Sequence, residues 1–122
     1  MSKHEIGLKR IQDILGENAL GLIDNFKKIS PDFANYIVEY GYGELYTRKG
    51  LSDKTRELAA VANLMGQGNT GLPLKAHIKG MINVGWNKEE IIEVIIFLSA
   101  YSGFPAAVEA IKLVEEIVNN HE

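Results

Sequence analysis

One segment near the C-terminal end constrains the fold more than any other. Positions 87–102 contain the run IIEVIIFLSAY, which would be apolar on almost every face of a helix, with Glu93 as the main interruption. Its start is well defined, because Asn87 is a good N-cap and Glu90, three residues later, completes a capping box. A helix that is apolar all round needs neighbours on every side. It is either a central core helix or an interface between copies of the chain, and we favour the interface because 122 residues supply few neighbours.

Prolines and glycines divide the rest of the chain into further helices. Pro31, Pro73 and Pro105 each stand where a helix is expected to begin, and no segment alternates with the period of two that a strand would show. We therefore predict an all-α fold, a compact bundle of six to seven helices in a single domain over residues 1–122. The predicted helices cover residues 3–15, 18–28, 31–46, 52–66, 72–84, 87–102 and 105–119.

Charge and hydropathy exclude two classes of partner. Thirteen Lys and Arg residues against sixteen Asp and Glu residues give a net charge of −3, without the basic excess of a nucleic-acid-binding protein. The longest apolar run, at 94–98, is far shorter than the roughly 20 residues of a membrane span. The N-terminal stretch has no continuous apolar core, so it is not a signal peptide. We expect a cytoplasmic protein with no nucleic-acid and no membrane partner.

The absence of cysteine excludes disulfides, thiolate metal ligands and thiol redox chemistry. The three histidines, His4, His77 and His121, are far apart in sequence and form no ligand pair, so no metal site is expected.

His77 is the only histidine inside a strongly patterned helical segment. The residues three and four positions away are apolar or small: Pro73, Leu74, Gly80 and Met81. Imidazole exchanges a proton near neutral pH, so His77 is a candidate for proton transfer. The alternative, which spacing alone favours, is a core histidine hydrogen-bonded to a carbonyl group.

A second candidate group lies at positions 40–50, in YGYGELYTRKG, which includes Glu44, Tyr46 and Arg48. The planar guanidinium of Arg48 suits a carboxylate ligand. The equally weighted alternative is a solvated helix end, where a cation interacts favourably with the helix dipole. Glu57 precedes the most apolar part of its predicted helix, and an acid in the first turn is ordinarily surface decoration.

The segments YGYGELYTRKGLSDKTREL, NVGWNKEEIIEVI and LSAYSGFPAAVEAIKLVEEIV, with His77 ahead of the second, resemble the carboxymuconolactone decarboxylase family from about position 32 to 118. The resemblance implies an all-α fold whose subunits intertwine as dimers and assemble further, commonly into hexamers. It also implies a cofactor-free decarboxylation in aromatic-acid catabolism, with 4-carboxymuconolactone as the small carboxylated substrate.

The resemblance implies roles for individual residues. His77 matches the motif histidine and is expected to act as the proton shuttle, while Arg48 and a lysine, Lys75 or Lys79, would hold carboxylates. The expected substrate-binding residues are Glu44, Tyr46, Arg48, Glu57 and Lys75. No metal or cofactor is required, because the conjugated lactone carbonyl can accept the electron pair that departing CO₂ leaves behind.

Two positions depart from the family pattern. Pro73 stands four residues before His77, where glutamate is frequent, and Glu109 stands where a second histidine often follows the PAA motif. The chain could therefore act on another small acid, or serve as a small-acid-binding or scaffold oligomer without turnover. A sister branch, the alkyl hydroperoxide reductase D type, carries a CxxC motif at the positions of Thr70 and Pro73. Thiol peroxidase activity is therefore excluded for this chain, even if analogy with that branch of the family would suggest an antioxidant function.

Overall fold

The computed structural model describes residues 1–120, and its regular structure is helical throughout; His121 lies outside the described residues. The α-helices are α1 (Lys3–Leu15), α2 (Asn18–Ile29), α3 (Pro31–Asn35), α4 (Asp53–Gly66), α5 (Leu72–Asn83), α6 (Lys88–Ser102) and α7 (Phe104–Asn120). A π-helix at Tyr36–Tyr42 continues α3, and a 3₁₀ turn covers Leu45–Thr47. Residues 1–120 contain no strand, so the predicted all-α class is confirmed. None of the helices described is both long and apolar enough to cross a bilayer.

The chain divides into two units, Met1–Asp53 and a second that begins at Lys54. The core of the first unit is formed by residues of α1, α2, α3 and the π-helix: Ile11, Ile23, Ala34, Val38 and Tyr42. In the second unit, α7 packs against α5 and α6. The core of the second unit includes Val61, Met65, Leu74, Ile78, Met81, Ile91, Ile95, Ala110, Val114 and Ile117.

Local capping signals account for the helix starts that the sequence predicts best. Asn87 Oδ1 accepts a hydrogen bond from the Glu90 backbone N–H at 2.8 Å, and the Glu90 carboxylate accepts one from the Asn87 N–H at 3.0 Å. Ser30 Oγ accepts from the Phe33 N–H at 3.2 Å, with Pro31 in the first turn of α3. Both predicted caps are confirmed, because they depend only on residues close in sequence.

The predicted continuous helix over 31–46 is wrong. After α3 the chain widens into the π-helix, in which the Gly43 N–H donates to the Val38 carbonyl at 2.8 Å, five residues back. Helix α1 lies directly against this region, since a Cβ on Gly7 would stand 2.0 Å from the Val38 carbonyl oxygen. The backbone contact between α1 and the π-helix joins segments distant in sequence, so helical periodicity alone does not reveal it. Such π-helical turns are rare and often found at functional sites.

Candidate active site

The second unit contains a hydrogen-bonded pair between Glu57 on α4 and His77 on α5. His77 Nδ1 lies 2.7 Å from Glu57 Oε1. The Glu57 side chain is 0% exposed, whereas that of His77 is 19% exposed. An ionised carboxylate only accepts hydrogen bonds, so its pairing with an ionised Glu57 requires the His77 tautomer that carries a proton on Nδ1, which leaves Nε2 to exchange a proton with a ligand.

The position of Glu57 follows from the buried face of α4. The buried residues of this helix are Glu57, Val61 and Met65, which are spaced by four and therefore share one face. The expectation that an acid in this first turn decorates the surface is wrong, because Glu57 is fully buried. The spacing from Val61 and Met65 is the signal in the sequence that could have revealed its burial.

His77 lies beside the buried face of α5. The fully buried residues of this helix include Leu74, Ile78 and Met81. His77 stands three residues after Leu74 and four before Met81. The hydrogen-bond partner of His77 Nδ1 is a carboxylate and not the carbonyl group that the core-histidine alternative names. The spacing of residues on α5 could not reveal this partner, because Glu57 lies 20 positions earlier in the chain.

Burying a carboxylate costs several kcal/mol unless the charge is paired and hydrogen-bonded. Within residues 1–120, every buried side-chain nitrogen and oxygen atom has a hydrogen-bond partner, so the carboxylate of Glu57 is compensated. A buried carboxylate that fixes the tautomer and orientation of an imidazole is a recurrent arrangement in acid–base catalysis. No group of three or more His, Cys, Asp or Glu side chains among the described residues is arranged to hold a metal ion.

Lys75, expected to bind a substrate carboxylate, is paired with an acid of α7. Its Nζ lies 2.6 Å from Glu116 Oε1, and the two side chains are 28% and 47% exposed. A substrate carboxylate would therefore compete with Glu116 for this cation.

The remaining predicted site residues, Glu44, Tyr46 and Arg48, belong to the first unit. The Tyr46 ring stacks on Tyr42 with a centroid distance of 4.4 Å. Arg48 is exposed and follows the 3₁₀ turn with extended backbone, at φ −69° and ψ 148°. Glu44 accepts a hydrogen bond from Lys3, and this bond, together with Coulombic attraction to the same carboxylate, raises the pKa of Lys3.

One departure from the family pattern, Glu109, lies in a small cleft of the second unit. Glu109 lines this cleft together with Thr70 and Ser102, and its volume is about 270 Å³. Two hydroxyl groups and a carboxylate thus line this cleft. Pro73, the other departure, stands in the first turn of α5.

Residues 1–120 thus combine a helical fold with a hydrogen bond between buried Glu57 and partly exposed His77. The family model described as carboxymuconolactone decarboxylase matches residues 31–116. The chain is 32% identical over 116 residues to 4-carboxymuconolactone decarboxylase of Acinetobacter baylyi, covering 94% of this chain and 86% of that protein. It is 31% identical over 118 residues to nitrosuccinic acid decarboxylase of Metarhizium robertsii, covering 93% and 80% respectively. The chain belongs to the carboxymuconolactone decarboxylase family, and its enzyme class is that of a carboxy-lyase.

Proposed function

We propose that the protein is a cofactor-free decarboxylase of 4-carboxymuconolactone or a related small carboxylated lactone. The observation that carries the proposal is the hydrogen bond between buried Glu57 and partly exposed His77, in a chain with relatives that are named decarboxylases. In the reaction, the carbon–carbon bond to the carboxylate breaks and CO₂ leaves. The electron pair passes into the conjugated lactone carbonyl, and a proton that His77 has taken up from solvent is added to carbon to give the enol-lactone.

His77 is the proton shuttle in this proposal, and Glu57 positions it. Glu57 is completely buried and in contact with His77, which favours a positioning role over direct contact with substrate. By accepting a hydrogen bond from the Nδ1–H, Glu57 orients a neutral imidazole whose unprotonated Nε2 can take up a proton and later deliver it. The His77 side chain is partly exposed, as a histidine that exchanges a proton with a ligand must be.

Arg48 is the proposed principal carboxylate-binding residue. Its guanidinium offers two parallel hydrogen bonds to a carboxylate, and the side chain is exposed. Lys75 is a weaker candidate because Glu116 already neutralises it. Glu44 and Tyr46 complete the proposed substrate-binding set.

The direct test is turnover. Purified protein is incubated with 4-carboxymuconolactone, and both the lactone absorbance and released CO₂ are followed. Nitrosuccinic acid and succinic acid are assayed in parallel, the second as a matched acid that lacks the nitro group. We expect CO₂ from one of the first two acids and none from succinic acid.

His77→Gln tests the assignment of the shuttle. It should lower turnover by about 10²–10⁴, the usual contribution of a positioned acid–base group, while thermal melting shows that the fold persists. Full activity of His77→Gln on a substrate that the wild type converts would show that the histidine is not catalytic.

A second candidate function is small-acid binding or a scaffold role without turnover. Pro73 and Glu109 favour it, since they replace the glutamate and second histidine expected from the family pattern. Calorimetric binding of the lactone with no product would support this alternative and refute the decarboxylase.

We also propose that residues 1–122 act as one domain. From the family resemblance, we further propose that the protein is a cytoplasmic homo-oligomer built from dimers, with a hexamer as the expected assembly. Light scattering at micromolar concentration tests this assembly. A stable 13.5 kDa species would contradict it.

A further inference from the structure

Arg10 is a partly buried cation of α1 whose side chain contacts a segment far along the chain. Its Nε donates a hydrogen bond to the Tyr46 carbonyl oxygen at 3.2 Å, and its Nη2 donates one to Asp53 Oδ1 at 2.5 Å. The Arg10 side chain is 22% exposed and that of Asp53 is 32% exposed. All three residues belong to the first unit. One guanidinium therefore contacts both ends of the stretch 46–53, which we call the Arg48 segment because it contains Arg48.

Most of the Arg48 segment lies outside regular secondary structure. The 3₁₀ turn ends at Thr47, and residues 48–52 are in neither a helix nor a strand. The backbone of these residues is not fixed by a helical ladder, so contacts from elsewhere in the fold determine its conformation. The bond from Arg10 to Asp53 suits this purpose, because a charge-assisted hydrogen bond is about twice as strong as a neutral one.

The start of the Arg48 segment is held by further contacts. The Tyr46 ring stacks on buried Tyr42, with 12° between the ring planes. The Thr47 hydroxyl lies 3.0 Å from the carbonyl oxygens of Gly43 and Glu44. These contacts fix the residues directly before position 48, and the pairing of Arg10 with Asp53 fixes the far end.

The surroundings of Arg10 argue against its binding a substrate carboxylate directly. Besides Asp53 and the Tyr46 carbonyl, the Asp13 carboxylate lies near its guanidinium, with 3.7 Å between Nη1 and Oδ2. Protein acceptors thus already occupy this cation. Arg48, by contrast, is exposed on the segment that Arg10 holds.

We propose that Arg10 is a positioning residue for substrate binding. By holding both ends of the Arg48 segment, it keeps Arg48 in the arrangement that binds a substrate carboxylate. The inference rests on the proposed function, in which Arg48 is the principal carboxylate-binding residue. Two parallel hydrogen bonds to a carboxylate require a correctly oriented guanidinium, and a segment that is ordered beforehand avoids the entropy cost of ordering on the ligand. Loss of Arg10 should therefore weaken substrate binding and leave proton transfer at His77 nearly unchanged.

The test combines kcat and KM with hydrogen–deuterium exchange of the backbone amides of residues 47–52. Arg10→Gln should speed exchange in the Arg48 segment and raise KM about 10-fold, comparable to losing one charge-assisted hydrogen bond to the substrate. Its kcat should stay within about threefold of wild type. Arg10→Lys keeps the charge opposite Asp53 but lacks the planar fork, so it should recover part of the lost binding. Should Arg10→Gln fail to fold, Asp53→Asn removes the other partner of the same ion pair and should act in the same direction.

The matched control is Lys9→Gln. It removes the same charge from the neighbouring residue of α1, where a 60% exposed lysine pairs with Asp13 at 2.5 Å. Neither exchange in the Arg48 segment nor KM should change, because the contacts of Arg10 with Tyr46 and Asp53 remain.

A double substitution distinguishes positioning of Arg48 from a general effect on the fold. If Arg10 acts through Arg48, Arg10→Gln should raise KM no further in a protein that already carries Arg48→Gln. Additive increases in KM would overturn the proposal, since Arg10 would then influence binding by another route.

Each outcome decides the inference separately from the proposed function. Faster exchange with a raised KM supports it, whereas unchanged exchange, an unchanged KM or a fall in kcat alone overturns it. A wild type without turnover refutes the decarboxylase, and the Kd of 4-carboxymuconolactone from calorimetry then replaces KM in the same comparison. A wild type that also fails to bind this lactone overturns the inference as well.

Discussion

Replacing Glu57 by glutamine tests whether the carboxylate positions the His77 imidazole, separately from what the side chain contributes to packing. The substitution keeps nearly the same shape in a site where the side chain is fully buried. It also removes the charge and turns an obligate hydrogen-bond acceptor into a group that can donate. If the amide NH₂ donates to His77 Nδ1, the imidazole proton moves to Nε2, and Nε2 can no longer take up from solvent the proton that the reaction adds to carbon.

The expected losses of activity and stability differ in size. A misplaced imidazole proton should reduce kcat by about 10²–10⁴, equivalent to roughly 3–5.5 kcal/mol of transition-state stabilisation. Stability should change much less, because a neutral hydrogen bond replaces one to a charged group, a loss of about 1 kcal/mol. The lower desolvation cost of an uncharged amide offsets part of that loss. Activity is therefore expected to fall far more than the free energy of unfolding.

The assay measures kcat and KM on the substrate that the wild type converts, together with urea unfolding of each variant. Glu90→Gln is the matched control, because glutamine also serves at this position of the α6 capping box; both kcat and stability should stay near wild type. Glu57→Asp retains the charge and should recover part of the lost kcat. If Glu57→Gln keeps kcat within about threefold of wild type, the carboxylate does not position the catalytic imidazole.

Two further predictions concern the first unit. Arg48→Lys keeps the charge but loses the bidentate geometry, so it should raise KM with a smaller effect on kcat; an unchanged KM would exclude Arg48 from substrate binding. Gly7→Ala would place a Cβ 2.0 Å from the Val38 carbonyl oxygen and should destabilise the fold by about 1–3 kcal/mol or more. The control Gly21→Ala, where no atom lies within 4 Å, should stabilise it by about 0.5–1 kcal/mol. Urea unfolding of both variants measures the difference, and equal effects would contradict the close contact between α1 and the π-helix.

The sequence predicts those parts of the fold that depend on neighbouring residues. Ser30 with Pro31, and Asn87 with Glu90, mark helix starts that the structure confirms, because a cap is a hydrogen bond between residues three apart. The π-helix could not be predicted in this way. Its position coincides with a backbone contact between Gly7 and Val38, residues of different helices, and local propensity contains no information about such a contact.

The sequence indicates which residues belong to the candidate site but not how they are arranged. His77 stands out as the one histidine in a strongly patterned segment, and Glu57 shares a helical face with Val61 and Met65. Neither pattern states that the two side chains touch, because their contact joins α4 to α5. The same limit applies to Lys75, whose pairing with an acid of α7 reduces its availability for a ligand.

In the proposed reaction, the chemistry of the Glu57–His77 pair limits which acids this protein can decarboxylate. An imidazole held by a carboxylate can move a proton, but it cannot accept the electron pair released when CO₂ departs. With no cysteine in the chain and no cofactor in the proposed reaction, the substrate itself must provide the electron acceptor. In 4-carboxymuconolactone this acceptor is the conjugated lactone carbonyl, and in nitrosuccinic acid it is the nitro group. These two compounds appear in the names of the two relatives. Substrates of this protein should therefore share an electron-accepting group that is conjugated with, or adjacent to, the carbon that loses CO₂. A common ring or a common chain length should matter less.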